Sequence, residues 1–193
     1  MKSTRLARVA LVVSSMALIG IGAPMVANAA PPVGGMMPCP TATELNSGFA
    51  KGLSGLVRDG DIQKGSAQTA RKQFTKWVKA NPGVGCDIRD GMMANGAEFM
   101  GFLGMTPWEI RDEYLAGKSM SEMAAENGIS EEELIAFLEA QVDEGLDAFV
   151  AAGAFSTELR DAMDAKASEA IAWGVDYHQG DPLPEGAERA HSR

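Results

Sequence analysis

Two cysteines, two histidines and nine methionines beyond residue 29 are the side chains of this chain that could hold a metal or exchange electrons. Cys39 and Cys86 form no Cys-x-x-Cys pair, so neither thioredoxin-like exchange nor haem attachment is indicated. An even count in a chain built for export reads as one disulfide. The 47-residue separation would stabilise the fold by roughly 4 kcal/mol in the chain-entropy account. A zinc site from these cysteines with His178 and His191 would need a spacing unlike the usual ones. Met92, Met93, Met100 and Met105 gather around Cys86 in the sequence. Thioethers suit Cu(I), so a metal-handling (copper) module is the alternative reading of the chain. Methionine is equally an adaptable filler between helices. No other cofactor is expected.

The residues that could drive catalysis do not assemble into a known pattern. No serine lies in a Gly-x-Ser-x-Gly turn, and oxidised cysteines supply no thiolate. His178 has Asp176 two residues away, at a helix end where the two need not face each other. Glu139, Asp143 and Asp147 recur at i,i+4, which reads as a solvated acidic face with mild self-repulsion. The expectation is a protein that is not an enzyme. Among the aromatics, Trp108 follows Pro107 in a first helical turn, and Trp173 and Tyr177 lie four apart on one helix face. These three are the candidate interaction face.

The elements that must position these residues are all helical. Residues 1–29 carry Lys2, Arg5 and Arg8, an apolar stretch from Val9 to Ile21, and Ala27-Asn28-Ala29 as a cleavage site. This is the pattern of a signal peptide, too short and interrupted to span a membrane. Residues 30–40, rich in Pro and Gly, read as a flexible leader. Residues 41–178 are expected to form one all-α domain, a bundle of αα-hairpins in orthogonal and antiparallel packing. It divides into a hairpin (41–80), a connector (86–103), a three-helix segment (106–151) and a closing helix (156–178). Residues 179–193 read as a flexible tail.

Caps and stripes carry this reading. Thr41 with Glu44, Thr106 with Glu109, Ser119 with Glu122 and Ser130 with Glu133 each match a capping box. Leu45, Phe49, Leu53 and Leu56 form one apolar stripe. Phe74 and Trp77 lie on a second, and Leu134, Leu138, Val142, Leu146 and Phe149 on a third. The connector is harder, because Gly91, Gly96 and Gly101 are each costly inside a helix. No window alternates like a strand.

Two segments match at an offset of 93 residues: Gly52-Leu53, Leu56-Val57, Gly60 and Ile62 against Gly145-Leu146, Phe149-Val150, Gly153 and Phe155. Each reads as a helix end, a glycine turn and an apolar plug, that is, an internal repeat. The run Thr106-Pro107-Trp108-Glu109, Gly117-Lys118-Ser119-Met120 and Met123 to Ser130 resembles a helical module of exported, mostly uncharacterised bacterial proteins. The resemblance covers residues 103–167 and implies caps and turns without any catalytic residue. The same stretch also looks like a helix-turn-helix. Glu131, Glu132 and Glu133 would then open the recognition helix, where they oppose DNA binding.

The formal charge is -9 for the whole chain. It is unevenly spread: residues 30–85 carry +4 and residues 86–193 carry -16. Phosphate would be repelled, so nucleic acid is not an expected partner. The expected function is that of an exported, periplasmic or extracellular, non-enzymatic helical protein. It would act on a protein or envelope component, or on copies of itself as a homo-oligomer. After cleavage it would not be a transmembrane protein.

Overall fold

Residues 38–182 are described by a computed structural model. The segment read as a signal peptide (1–29), most of the expected leader and residues 183–193 lie outside them. Among the described residues there are seven helices and no strand. They are α1 (Ala42–Asp59), α2 (Lys64–Ala80), α3 (Val84–Leu103), α4 (Pro107–Leu115), α5 (Met120–Glu126), α6 (Glu131–Ala151) and α7 (Thr157–Gly174). No described helix is long and apolar enough to cross a membrane.

All four capping boxes form. At each, the Thr or Ser oxygen accepts from the backbone N–H three residues on, and the Glu carboxylate accepts from the cap's own N–H. The negative charge also meets the positive end of each helix dipole. These contacts hold the carboxyls of Glu44, Glu109, Glu122 and Glu133 below the usual range.

The apolar side chains collect in two cores. The first joins Leu45, Phe49, Leu53 and Leu56 of α1 to Phe74 and Trp77 of α2. Val84 and Ile88 of α3, Val142, Leu146 and Phe149 of α6, and Leu159 and Met163 of α7 complete it. Its centre is aromatic: Phe49 stacks on Phe74 at 4.1 Å between centroids and on Phe155 at 5.3 Å, and Phe149 stacks on Phe155 at 4.5 Å. The second core joins Ile110 and Tyr114 of α4, Met123 and Ala124 of α5, Leu103 of α3, Leu134 of α6 and Val175.

α3, α6 and α7 therefore run through both cores, with Ile171 packed against each. α3 and α7 start in the first core and end at the second, and α6 runs the opposite way. The α1–α2 hairpin closes one end and the α4–α5 pair the other. The α1–α2 hairpin meets the second half of the chain, among other places through Trp77 and Phe149 at 5.6 Å. Leu138, read on the same stripe as Leu146 and Phe149, does not join them in the first core. It is half-buried against the second cluster, because α6 has not yet reached the first one at that turn.

The connector is not a break. α3 is a continuous helix from Val84, beginning directly after Gly83. Its glycines weaken it locally, but burial of Val84, Ile88 and Leu103 at its two ends offsets that cost, as tertiary packing generally does. Gly85 has a specific cause. A Cβ there would sit 1.9 Å from the carbonyl oxygen of Pro40, so the chain before α1 lies directly on the first turn of α3. The Cys39–Cys86 disulfide fastens the same place, with Cα atoms 4.6 Å apart. Cys39 and Pro40 are thus held against the start of α3.

Both helical hairpins turn in the same way. Gly60 and Gly153 have φ of 90° and 74°. The next residue's N–H donates back to the carbonyl oxygen of Leu56 in one hairpin and Phe149 in the other, at 2.9 Å in each. Ile62 and Phe155 are then buried at the mouth of each hairpin.

The closing helix is shorter than its expected range of 156–178. It ends at Gly174, and the chain beyond folds back. The backbone N–H of Ser121 donates to the carbonyl oxygen of Val175 at 2.9 Å. The backbone N–H of His178 donates to the Asp181 carboxylate at 2.9 Å. Residues 179–181 are therefore tied down rather than part of a loose tail.

Candidate interaction surface

Pro107 at the first position and the Thr106 box fix the start of α4. Ile110 and Tyr114 point into the second core, where burial pushes the Tyr114 phenol up and nearby Tyr177 adds to the effect. The opposite side of α4 is apolar as well. Trp108 is 49% exposed and Leu115 is 45% exposed, two turns apart on one face. Arg111 lies between them, its guanidinium carbon 5.9 Å from the Trp108 ring centroid. It forms no ion pair among the described residues, although Glu109, Asp112 and Glu113 are its neighbours in sequence. Glu109 is held by its cap, and Glu113 by Lys118 at 2.8 Å. The Arg111 Nε is buried without a hydrogen-bond acceptor.

Trp173 and Tyr177 touch each other, with centroids 5.0 Å apart, and both are half-buried. Trp108 meets Arg111 instead. The methionines are divided. Met92 packs against the first core, Met100 and Met105 pack against the second, and Met93 is exposed. Among the described residues, no three His, Cys, Asp or Glu side chains converge where a metal ion could sit.

Comparison with protein-family models, with curated proteins and with solved structures finds no match.

Two polar clusters were not legible in the sequence. Arg160 of α7 reaches across to α6, pairing with Asp143 and with Asp147 at 3.0 Å, and pairs within α7 with Asp164 at 3.1 Å. What reads as a repelling ladder on α6 is thus partly neutralised by the neighbouring helix. Burial, followed by the nearby Asp143, raises the Asp164 carboxyl above its usual range. The second cluster joins α5 to the chain after α7. Ser121 donates to Asp176 at 2.6 Å, and the Ser119 and Ser121 hydroxyls lie 2.9 Å apart. The His178 Nε2 lies 3.1 Å from Glu122, and its Nδ1 3.4 Å from Asp181. The histidine is thus engaged by carboxylates while Ser121 is engaged by Asp176. The cluster fastens two chain segments, and no serine–histidine contact is formed in it. The partners come from residues about 55 positions apart, a separation at which periodicity carries no signal.

Phe137 was also absent from the stripe read on α6. It stacks on Phe102 of α3 at 4.2 Å, and Phe99 lies at 6.2 Å. It belongs to the α3–α6 seam rather than to either core centre.

Proposed function

We propose that this chain is an exported, non-enzymatic helical binding protein whose recognition element is the outer face of α4. The observation that carries the reading is the exposed Trp108–Arg111–Leu115 row, with a guanidinium that stacks on tryptophan and pairs with no carboxylate. Tryptophan and arginine are the residue types that dominate binding energy at interfaces. The unpaired fork of Arg111 suits a partner carboxylate set beside an apolar group. The rigid mount favours binding too, since the other face of α4 is locked into the second core. Export is supported by the signal-like N-terminus and by the disulfide, which persists in oxidising compartments. The likeness of residues 103–167 to an exported helical module agrees with this reading.

The test is site-specific photocrosslinking in the native host. A photoreactive residue at position 108 should give a discrete adduct with an envelope or secreted component. The same residue at exposed Ala94 of α3 should not. Identical adduct patterns from both positions would remove the reading. Trp108→Ala and Arg111→Ala should each weaken capture of the identified partner by at least tenfold while leaving the melting temperature nearly unchanged.

A further inference from the structure

α2 and α6 are opposites. α2 carries Lys64, Arg71, Lys72, Lys76 and Lys79 and no acid. α6 carries Glu131, Glu132, Glu133, Glu139, Asp143, Glu144 and Asp147 and no base. All five bases of α2 are exposed, and none of them has an ion-pair partner among the described residues. The charge split between the two halves therefore does not operate inside the molecule. The ion pair that does cross between the halves runs the other way, from Lys166 of α7 to Asp59 of α1 at 3.8 Å.

Helical geometry puts the α2 bases on one arc of the helix, facing away from buried Ala70, Phe74, Trp77 and Val78. From Lys64 to Lys79 they extend about 22 Å at 1.5 Å per residue. On α6, Glu132, Glu139, Asp143 and Asp147 form one strip bordering the buried side, with Glu132 and Asp147 exposed and Glu139 and Asp143 half-buried beside α7. They extend over the same number of residues, hence the same length. Arg160 neutralises part of this face at Asp143 and Asp147, leaving Glu132 and Glu139 outside its pairs.

We infer that the basic face of α2 docks on the acidic face of α6 in a second copy of this chain. The two faces are opposite in sign and equal in length, and both are borne on packed helices, α2 with its inner side in the first core and α6 with its inner side in both cores. Contact charges at a few ångström are little screened. The repulsion between two net-acidic molecules acts over tens of ångström and is screened at a Debye length of about 8 Å in physiological salt. Attraction at the interface thus prevails near 0.15 M ionic strength and fades near 1 M, where the Debye length falls to about 3 Å. The contact joins different faces of the two copies, so it is heterologous.

Sedimentation of the isolated protein over a concentration series tests this. At about 0.15 M salt the apparent mass should rise above that of a monomer, and at about 1 M it should return towards it. Two variants sharpen the test. Arg71→Glu/Lys72→Glu/Lys76→Glu reverses α2, and Glu132→Lys/Ala136→Lys/Glu139→Lys reverses the first turns of the α6 face. Each alone should sediment as a monomer. An equimolar mixture should associate again, because the intact α2 face of one variant meets the intact α6 face of the other and the two reversed faces are likewise opposite in sign. All substituted positions are exposed or half-exposed, and circular dichroism melting checks that the variants fold. A monomer at every concentration, or an assembly that survives α2 reversal, overturns the inference. So does a wild-type monomer that instead co-sediments with phosphatidylglycerol–phosphatidylcholine vesicles through α2. That result would assign the face to an anionic lipid surface.

Discussion

Single residues in this protein matter most where two segments distant in sequence touch. Gly85 is the sharpest case, since a Cβ would collide with the backbone oxygen of Pro40 rather than with a flexible side chain. The contact sits beside the Cys39–Cys86 bond, which prevents the segment from moving away. Gly85→Ala should lower the unfolding midpoint in urea, whereas Gly96→Ala should leave it the same or raise it. A Cβ at Gly96 meets nothing within 4 Å, and alanine favours the helix. Equal effects at the two glycines would mean that Pro40 does not lie on α3. Ser130 is a second such residue. Its oxygen accepts from the Glu133 N–H at 3.2 Å, and Ser130→Ala should cost about 1 kcal/mol in the same experiment.

The capping carboxylates also set a pH dependence. Glu44, Glu109, Glu122 and Glu133 all have folded values below their ordinary 4.5. A depressed carboxyl contributes stability that is present above its unfolded value and is lost as pH falls through the lower folded one. Asp164, raised by burial and by Asp143, acts in the opposite sense and regains stability on protonation. Asp59, lowered chiefly by the hydrogen bond from Arg58, sides with the four capping carboxyls. With five groups against one, the melting temperature should fall as pH is taken from 5 towards 3. A Glu133→Gln variant should show a shallower fall than the wild type. An unchanged slope would mean that the box does not couple to proton binding.

At the level of elements, α6 is the helix whose damage should spread furthest. Its C-terminal half fills the first core and its N-terminal half the second. Leu146 is 1% exposed at the centre of the first, so Leu146→Ala should cost about 2–5 kcal/mol through lost burial and a residual cavity. Leu138 is half-buried, and Leu138→Ala should cost clearly less. If the two substitutions cost the same, the partition of α6 between two cores would be wrong. α3 follows the same logic, and its glycines matter less than the cores at its ends.

For the whole molecule, three helices shared by two cores imply one cooperative unit. Loss of either core would strip an apolar face from α3, α6 and α7 together. Trp77 belongs to the first core, while Trp173 lies near Val175 of the second. Variants retaining only one of these tryptophans should therefore melt at the same midpoint. Reduction of the disulfide should lower that midpoint by an amount worth about 2–4 kcal/mol without splitting it, because the bond closes a loop within the first core's own segments. Two separate midpoints in the reduced protein would show that the disulfide, and not the shared helices, joins the halves.

The sequence by itself determined the local structure. Capping boxes, glycine turns and apolar stripes act within four residues, so Thr41, Thr106, Ser119, Ser130 and the stripe of Leu45 to Leu56 could be read directly. With two cysteines in the chain, their pairing was equally legible. The tertiary structure alone decided matters that depend on neighbours far along the chain. Gly91, Gly96 and Gly101 argued against α3, yet two cores hold it as one helix. Asp143 and Asp147 read as a repelling ladder until Arg160 was placed across from them. The sequence shows a basic first part and an acidic second part, but not where those charges lie; the bases of α2 remain on the surface. Their stem helix must turn Phe74 and Trp77 inward, and that leaves the charged arc facing out. Periodicity states which side of a helix is apolar, but which other helix covers it is settled only by packing.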